Sequence, residues 1–161
     1  MTPTPEIHTA ERLAAANRLL DTVCDPEIPV LTIADLGLLR AVRWNETEQM
    51  LEVDITPTYS GCPAMKMIQD DIFAKLKENG VEKIKVNMIY SPAWTTDWIT
   101  EEAKEKLRKY GIAPPERTTK RKCPHCNSEN TEMVSQFGST ACKALYKCLD
   151  CKEPFDYFKC H

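Results

Sequence analysis

The chain has 161 residues, enough for one medium domain and one small one. Its hydrophobic fraction of 42% and charged fraction of 28% are ordinary for a globular protein, and no apolar run approaches the length of a membrane-spanning helix. The net charge of −3 divides into −5 for residues 1–110 and +2 for residues 111–161. This balance argues against a nucleic-acid-binding surface.

Hydrophobic periodicity predicts helices and strands in alternation up to residue 111. The expected elements are a helix over Glu11–Val23, strands over Leu38–Trp44 and Met50–Thr56, a helix over Cys62–Asn79, a strand over Lys83–Tyr90 and a last helix that ends at Gly111. Thr9 is the expected N-cap of the first helix, and Thr96 or Asp97 that of the last. The first two strands are expected to form a hairpin through the polar residues 45–48.

The C-terminal part predicts a different architecture. Residues 112–122 contain two prolines and a run of basic residues and threonines, which is typical of a linker. Short strands are expected over 131–135 and 143–147. The predicted fold class is therefore α+β: a small three-stranded mixed sheet packed with helices over 1–111, followed by a C-terminal β ribbon over 123–161.

Two Cys-x-x-Cys pairs carry the strongest chemical signal: Cys123 with Cys126, and Cys148 with Cys151. Each pair offers two thiolates on a tight turn, and two such pairs make a tetrahedral zinc site. Asn127 follows the first pair, where the chain tends to become left-handed and asparagine is tolerated. Four unligated thiols would leave this polar tail with little to hold it folded, and a dithiol redox pair is the remaining alternative.

The other cysteines and histidines carry weaker signals. Cys24 is expected in the core at the end of the first helix, and Cys142 in the core or at the surface. His125 is expected to face solvent on the turn between two ligands. Cys160 and His161 could fray or could contribute a further ligand.

Cys62 lies between Gly61 and Pro63, at the start of the predicted second helix. Proline fits the first helical turn, and the free amides and positive end of the helix dipole would stabilise a thiolate there. A small buried residue at the helix start is the alternative. Asp25 and Glu27 lie in a proline-bent loop, where Asp25 could cap the turn or both side chains could face solvent.

The first part of the chain resembles the iron–sulfur cluster assembly domain of the SufT type. The similarity lies in residues 25–29 (DPEIP), 33–38 (IADLGL) and 56–63 (TPTYSGCP). It implies an α/β fold and a role in iron–sulfur protein maturation. Cys62 matches the reactive cysteine of that family, and Asp25 and Glu27 match its acidic loop. Tyr59 replaces a smaller residue of the family pattern and could reshape the pocket.

Together with the tail, which reads FGSTACKALYKC over 137–148 and PFDYFKC over 154–160, the chain resembles the PaaD family, the D subunits of phenylacetyl-CoA epoxidase. This resemblance implies an accessory role in aerobic phenylacetate breakdown, beside a di-iron oxygenase and its iron–sulfur and flavin reductase. The expected cargo is a transient iron–sulfur cluster or iron for that reductase. A homodimer could complete the cluster ligands.

Two other functions remain open from the residues. Direct oxygen chemistry is disfavoured because the chain has three histidines and no Glu-x-x-His motif, whereas thiol redox catalysis by Cys62 would suit an enzyme. The ribbon could instead serve as a binding or scaffold module.

The N-terminal residues lack a basic head and an apolar stretch, so no signal peptide is expected and a cytoplasmic location with reduced cysteines follows.

Overall fold

The computed structural model describes residues 5–58 and 62–159, with side chains from Thr9 onward. Its contacts divide the chain into two compact units, Met1–Trp94 and Thr95–His161. The domain boundary expected at residue 111 therefore falls inside the second unit. The expectations for Tyr59, Gly61, Cys160 and His161 lie outside the described residues.

Helix α1 spans Pro5–Leu20 and packs against the first strand and the second helix. It begins earlier than predicted. Its first residues were missed because they lack the apolar periodicity of the rest of the helix, although proline is compatible with a helix start. The predicted N-cap at Thr9 is wrong: Thr9 lies inside α1, and its hydroxyl donates to Glu46 Oε1 (3.1 Å). Cys24, expected in the core, is exposed.

The first sheet has the order β1-β2-β3, with β1 at Leu39–Asn45, β2 at Met50–Ile55 and β3 at Ile84–Met88. β1 and β2 form the predicted antiparallel hairpin, and β3 runs parallel to β2. The fully buried apolar side chains of the sheet all lie on its central strand, β2. These are Leu51, Val53 and Ile55.

Helix α2 spans Ala64–Glu78 and connects β2 to β3. Its apolar residues recur at helical spacing and are all buried, as predicted: Met65, Ile68, Ile72 and Leu76. Gly80 follows with a φ of 89°, the left-handed conformation expected after a helix end.

The second unit begins with a short 3₁₀ helix at Thr96–Trp98 and continues into α3, Glu101–Lys109. The N-cap of α3 is Thr100, whose hydroxyl accepts from Ala103 N (3.1 Å). Thr96 and Asp97 are therefore not its caps, because the 3₁₀ turn separates them from it. No helix in the described ranges is long and apolar enough to cross a membrane.

The ribbon is a four-stranded sheet of order β4-β7-β6-β5. Its strands are β4 at Ile112–Ala113, β5 at Thr131–Ser135, β6 at Lys143–Cys148 and β7 at Pro154–Phe158. β5 and β6 were predicted; β4 occupies the first two residues of the expected linker. Its buried core combines apolar side chains with two of the cysteines, namely Ala113, Cys123, Ala144, Cys148, Phe155 and Tyr157.

Candidate functional site

The first Cys-x-x-Cys pair forms a tight turn around the sulfur of Cys123. The backbone N–H of His125 donates to Cys123 Sγ (3.4 Å), and the N–H of Asn127 donates to the carbonyl of Cys123 (2.9 Å). Asn127 has a φ of 63°, so the predicted left-handed residue is confirmed. His125 is exposed, as expected, and Cys123 is fully buried.

The second pair forms a similar turn, although its sequence resembles the first less closely. The backbone N–H of Cys151 donates to Cys148 Sγ (3.5 Å), and Lys152 adopts a φ of 68° after the second cysteine. The N–H of Cys148 donates to Glu153 O (3.0 Å), which closes the turn. In both turns, the first sulfur is buried and receives amide hydrogens.

The structure brings the four predicted cysteines together, with all four Sγ atoms within 4.8 Å of one another. Cys123 and Cys151 are separated by 3.7 Å between sulfurs, and Cys126 and Cys148 by 3.6 Å. A zinc–sulfur bond of about 2.3 Å in a regular tetrahedron requires sulfur separations of about 3.8 Å. The quartet therefore fits a tetrahedral, thiolate-preferring metal ion.

The two buried sulfurs differ in their electrostatic surroundings. Burial raises the pKa of the Cys123 thiol. The N–H of Cys151 lowers the pKa of Cys148 to about 7, with a further contribution from the N–H of Asp150. Metal ligation requires thiolates, and of these two sulfurs Cys148 therefore forms the thiolate more readily.

A polar contact between the two turns was not foreseen from the sequence. Asp150, inside the second turn, accepts from the hydroxyl of Ser128 through Oδ2 and from Asn130 Nδ2 through Oδ1 (3.0 Å). These hydrogen bonds, that from Ser128 foremost, hold the pKa of Asp150 below its ordinary range. Two features of the sequence could have indicated this contact. One is the aspartate between the two cysteines of the second pair, and the other is the small polar residues that follow the first pair.

Cys142 lies outside the quartet. Its side chain is buried, and its Sγ is 3.0 Å from the hydroxyl oxygen of Thr140. This agrees with the first of the two positions expected for it, in the core.

Cys62 lies on the loop between β2 and α2, two residues before the helix begins. Its side chain is half-buried, and the Thr58 hydroxyl approaches its Sγ at 4.0 Å. Thr56, just past β2, donates through its hydroxyl to the carbonyl of Ile89 (2.6 Å), just past β3. Because β2 and β3 are parallel, the loop of Cys62 and the loop after β3 leave the same edge of the sheet.

The loop of residues 25–37 reaches that edge as well. Leu38, which follows it, accepts a hydrogen bond from Thr56 N (2.9 Å). The indole N–H of the buried Trp94 donates to Leu36 O (2.8 Å). Three loops therefore meet outside the carboxyl ends of two parallel strands, a position where α/β sheets commonly bind ligands.

Asp25 holds the shape of this loop. Its Oδ1 accepts from the backbone N–H groups of Glu27 (2.7 Å) and Ile28 (3.1 Å), so Asp25 caps the proline-bent turn. Thr32 and Asp35 exchange two further side-chain-to-backbone hydrogen bonds of 3.1 Å each, a reciprocal capping box. Asp25 is buried and Glu27 half-buried; a role of either in handling iron stays a prediction.

Comparison with known proteins identifies both parts of the chain. A family model for iron–sulfur cluster assembly proteins matches residues 13–88, and a model for the PaaD zinc β-ribbon domain matches residues 110–159. The Staphylococcus aureus Fe–S protein maturation auxiliary factor SufT is 36% identical over 53% of this chain and 96% of its own. A Bacillus anthracis DUF59 domain structure, 28% identical, superposes with a TM-score of 0.57 over 63% of this chain and 96% of its own.

The fold and sites thus define an iron–sulfur assembly-type domain joined to a zinc-ribbon-type domain with a four-cysteine metal-binding cluster. An Escherichia coli K12 protein, provisionally named as the D subunit of 1,2-phenylacetyl-CoA epoxidase, is 48% identical over 88% of this chain and 89% of its own length. The chain belongs to this family of epoxidase D subunits, the PaaD family.

Proposed function

We propose that this chain is an accessory maturation factor of a phenylacetyl-CoA epoxidase complex, and that it delivers an iron–sulfur cluster, or iron, to the reductase of that complex. The E. coli relative is named for the epoxidase, and the S. aureus relative is named for Fe–S protein maturation. The chain does not carry out the epoxidation itself and acts in the cytoplasm. Its partners are the other epoxidase subunits.

The observation that carries this proposal is the position of Cys62. A half-buried thiol at the edge where three loops meet can bind iron and remain reachable by a second protein. Iron–sulfur clusters are ordinarily held by four thiolates, so one thiolate binds its cargo incompletely. A second copy of this chain or the client would supply the missing ligands.

Transfer then proceeds by ligand exchange. A cysteine thiolate of the client bonds to the iron, the bond from iron to Cys62 Sγ breaks, and Cys62 leaves as a thiolate without any change in oxidation state. Asp25 keeps the loop in place through its two backbone hydrogen bonds. Glu27, at the same turn, adds a carboxylate that favours a cation near the edge.

The ribbon metal in this proposal is zinc, held by Cys123, Cys126, Cys148 and Cys151. Support comes from the tetrahedral spacing of the four sulfurs and from the preference of closed tetrathiolate sites for zinc. A redox-inert ion suits a structural role, and it would leave cargo handling to Cys62. The folded ribbon docks the client or holds the chain on the complex.

The test is anaerobic maturation of the purified reductase apoprotein by this protein loaded with iron and sulfide. Cys62→Ser should fold normally and leave the reductase short of iron. Cys24→Ser is the matched control, because Cys24 is an exposed free thiol of the same unit outside the loop of Cys62. Full loading of the reductase by Cys62→Ser would refute the proposal, and turnover of a disulfide substrate by the intact protein without client would favour a thiol redox enzyme.

A further inference from the structure

The two metal-binding turns come from distant parts of the chain and are joined by one aspartate. Ser128 follows the first turn, and its carbonyl accepts from Cys123 N (2.9 Å). The Ser128 hydroxyl donates to Asp150, which lies between Cys148 and Cys151. A short path of hydrogen bonds therefore runs from the backbone of one ligand to the turn that carries two others.

Asn130 completes the connection. Its side-chain amide donates to Asp150 Oδ1 (3.0 Å), its backbone N–H donates to Ser128 Oγ (3.0 Å), and its carbonyl accepts from Leu149 N (2.8 Å). Both carboxylate oxygens of Asp150 are thus used, and both partners belong to the segment that follows the first turn. The carboxylate therefore ties the second turn to the first at two points.

We infer that Asp150 is a positioning residue of the metal centre, which keeps the two cysteine pairs at tetrahedral separation and so controls how fast the ion is released. The inference rests on the metal site of the proposed function. A tetrathiolate ion leaves one bond at a time, and departure requires the two pairs to move apart. The Asp150 contact resists that separation without contacting the ion.

The ribbon contains a matched aspartate that lacks this geometry. Asp156 accepts from the hydroxyl of Ser139 (2.7 Å) and from the N–H of Ser139 (3.3 Å). These hydrogen bonds fix a loop between β5 and β6 rather than a cysteine turn. If Asp150 served only to tie a loop, substitution of Asp150 and substitution of Asp156 would have the same effect on zinc release.

The experiment measures zinc release from the full chain to a chromogenic chelator. Asp150→Ala removes both acceptors, so that neither Ser128 nor Asn130 holds the second turn, and we expect release about 10- to 100-fold faster than in the wild type. Asp156→Ala should release zinc at the wild-type rate. Asp150→Asn retains both contacts, because its amide oxygen accepts from Asn130 and its amide nitrogen donates to the Ser128 hydroxyl oxygen, and should keep release close to the wild-type rate.

Cobalt substitution supplies a readout that a merely structural role would not change. In Asp150→Ala the visible absorption of tetrahedral cobalt should shift or broaden, whereas Asp156→Ala should retain the wild-type spectrum. Equal release rates for Asp150→Ala and the wild type, or release from Asp150→Asn as fast as from Asp150→Ala, would overturn the inference. A wild type that holds no metal would instead overturn the metal site of the proposed function.

Discussion

Arg43 joins two carboxylates across β1 and β2. It donates to Asp54, and its Nη2 lies 3.1 Å from Glu52 Oε2. Asn87 on β3 donates to Asp54 Oδ1 (2.9 Å), so the contact spans all three strands. The hydrogen bond from Arg43 is the main cause that holds the pKa of Asp54 below its ordinary range.

Asp54→Asn should lower the free energy of unfolding at pH 7 by about 1–3 kcal/mol, because it removes charged hydrogen bonds from a carboxylate that is largely buried. Because the side chain of Arg43 is 49% exposed, solvent screens its charge, and the loss of unfolding free energy should lie at the lower end of this range. Urea unfolding measures the difference. Asp70→Asn, in an exposed pair with Lys66, is the control and should change little.

The same pair has a defined pH dependence. The folded pKa of Asp54 is depressed, so its stabilisation is complete above its unfolded pKa, which is about 4, and is lost as the pH falls through the lower folded value. The difference between wild type and Asp54→Asn should therefore shrink below pH 4. A difference that stayed constant down to pH 2 would contradict this assignment.

Helix α2 shows how one element places the candidate thiol. Four apolar residues at helical spacing bury one face of it, and this burial fixes where the helix begins and hence where Cys62 lies. Ile72 is fully buried in the middle of this face, whereas Met67 is 56% exposed.

Ile72→Ala should cost about 2–5 kcal/mol of the free energy of unfolding, because it removes buried hydrocarbon and leaves a cavity. Denaturant unfolding, monitored in the first unit by hydrogen exchange of the α2 amides, would measure this loss of stability. Met67→Ala is the control at an exposed position of the same helix. Comparable losses in the two variants would show that α2 does not bury the predicted face.

Elements with a clear periodicity were predictable, and elements defined by tertiary contact were not. The β1–β2 hairpin and α2 followed from alternation and from helical spacing. β7 was missed because it begins at Pro154, directly after the second cysteine turn, where ligand spacing dominates the pattern. β4 has two residues, and only its pairing with β7 makes it a strand.

The candidate sites were predictable to a similar extent. The spacing of the cysteines predicted the quartet, because a tetrahedral ion directly constrains that spacing. The capping role of Asp25 was one of the alternatives that its proline-bent loop suggested. The contact from Asp150 to Ser128 and Asn130 was not predictable, because it depends on how two distant turns approach in space.

At the scale of the whole chain, we propose that the four ribbon sulfurs and the sulfur of Cys62 serve two different functions. The ribbon quartet is clustered, with two sulfurs fully buried, which suits a permanent ion. Cys62 lies in the other unit, half-buried at the edge of a sheet, which suits a transient ligand. Loss of the ribbon cysteines and loss of Cys62 should therefore change the metal content of the protein in different ways.

Anaerobic metal analysis of the intact protein, Cys62→Ser and Cys123→Ser, after incubation with iron and sulfide, tests this division most directly. We expect about one zinc per chain in the intact protein and in Cys62→Ser, iron only where Cys62 is present, and loss of zinc in Cys123→Ser. Iron retained by Cys62→Ser at the level of the intact protein, or an intact protein without zinc, would contradict the account.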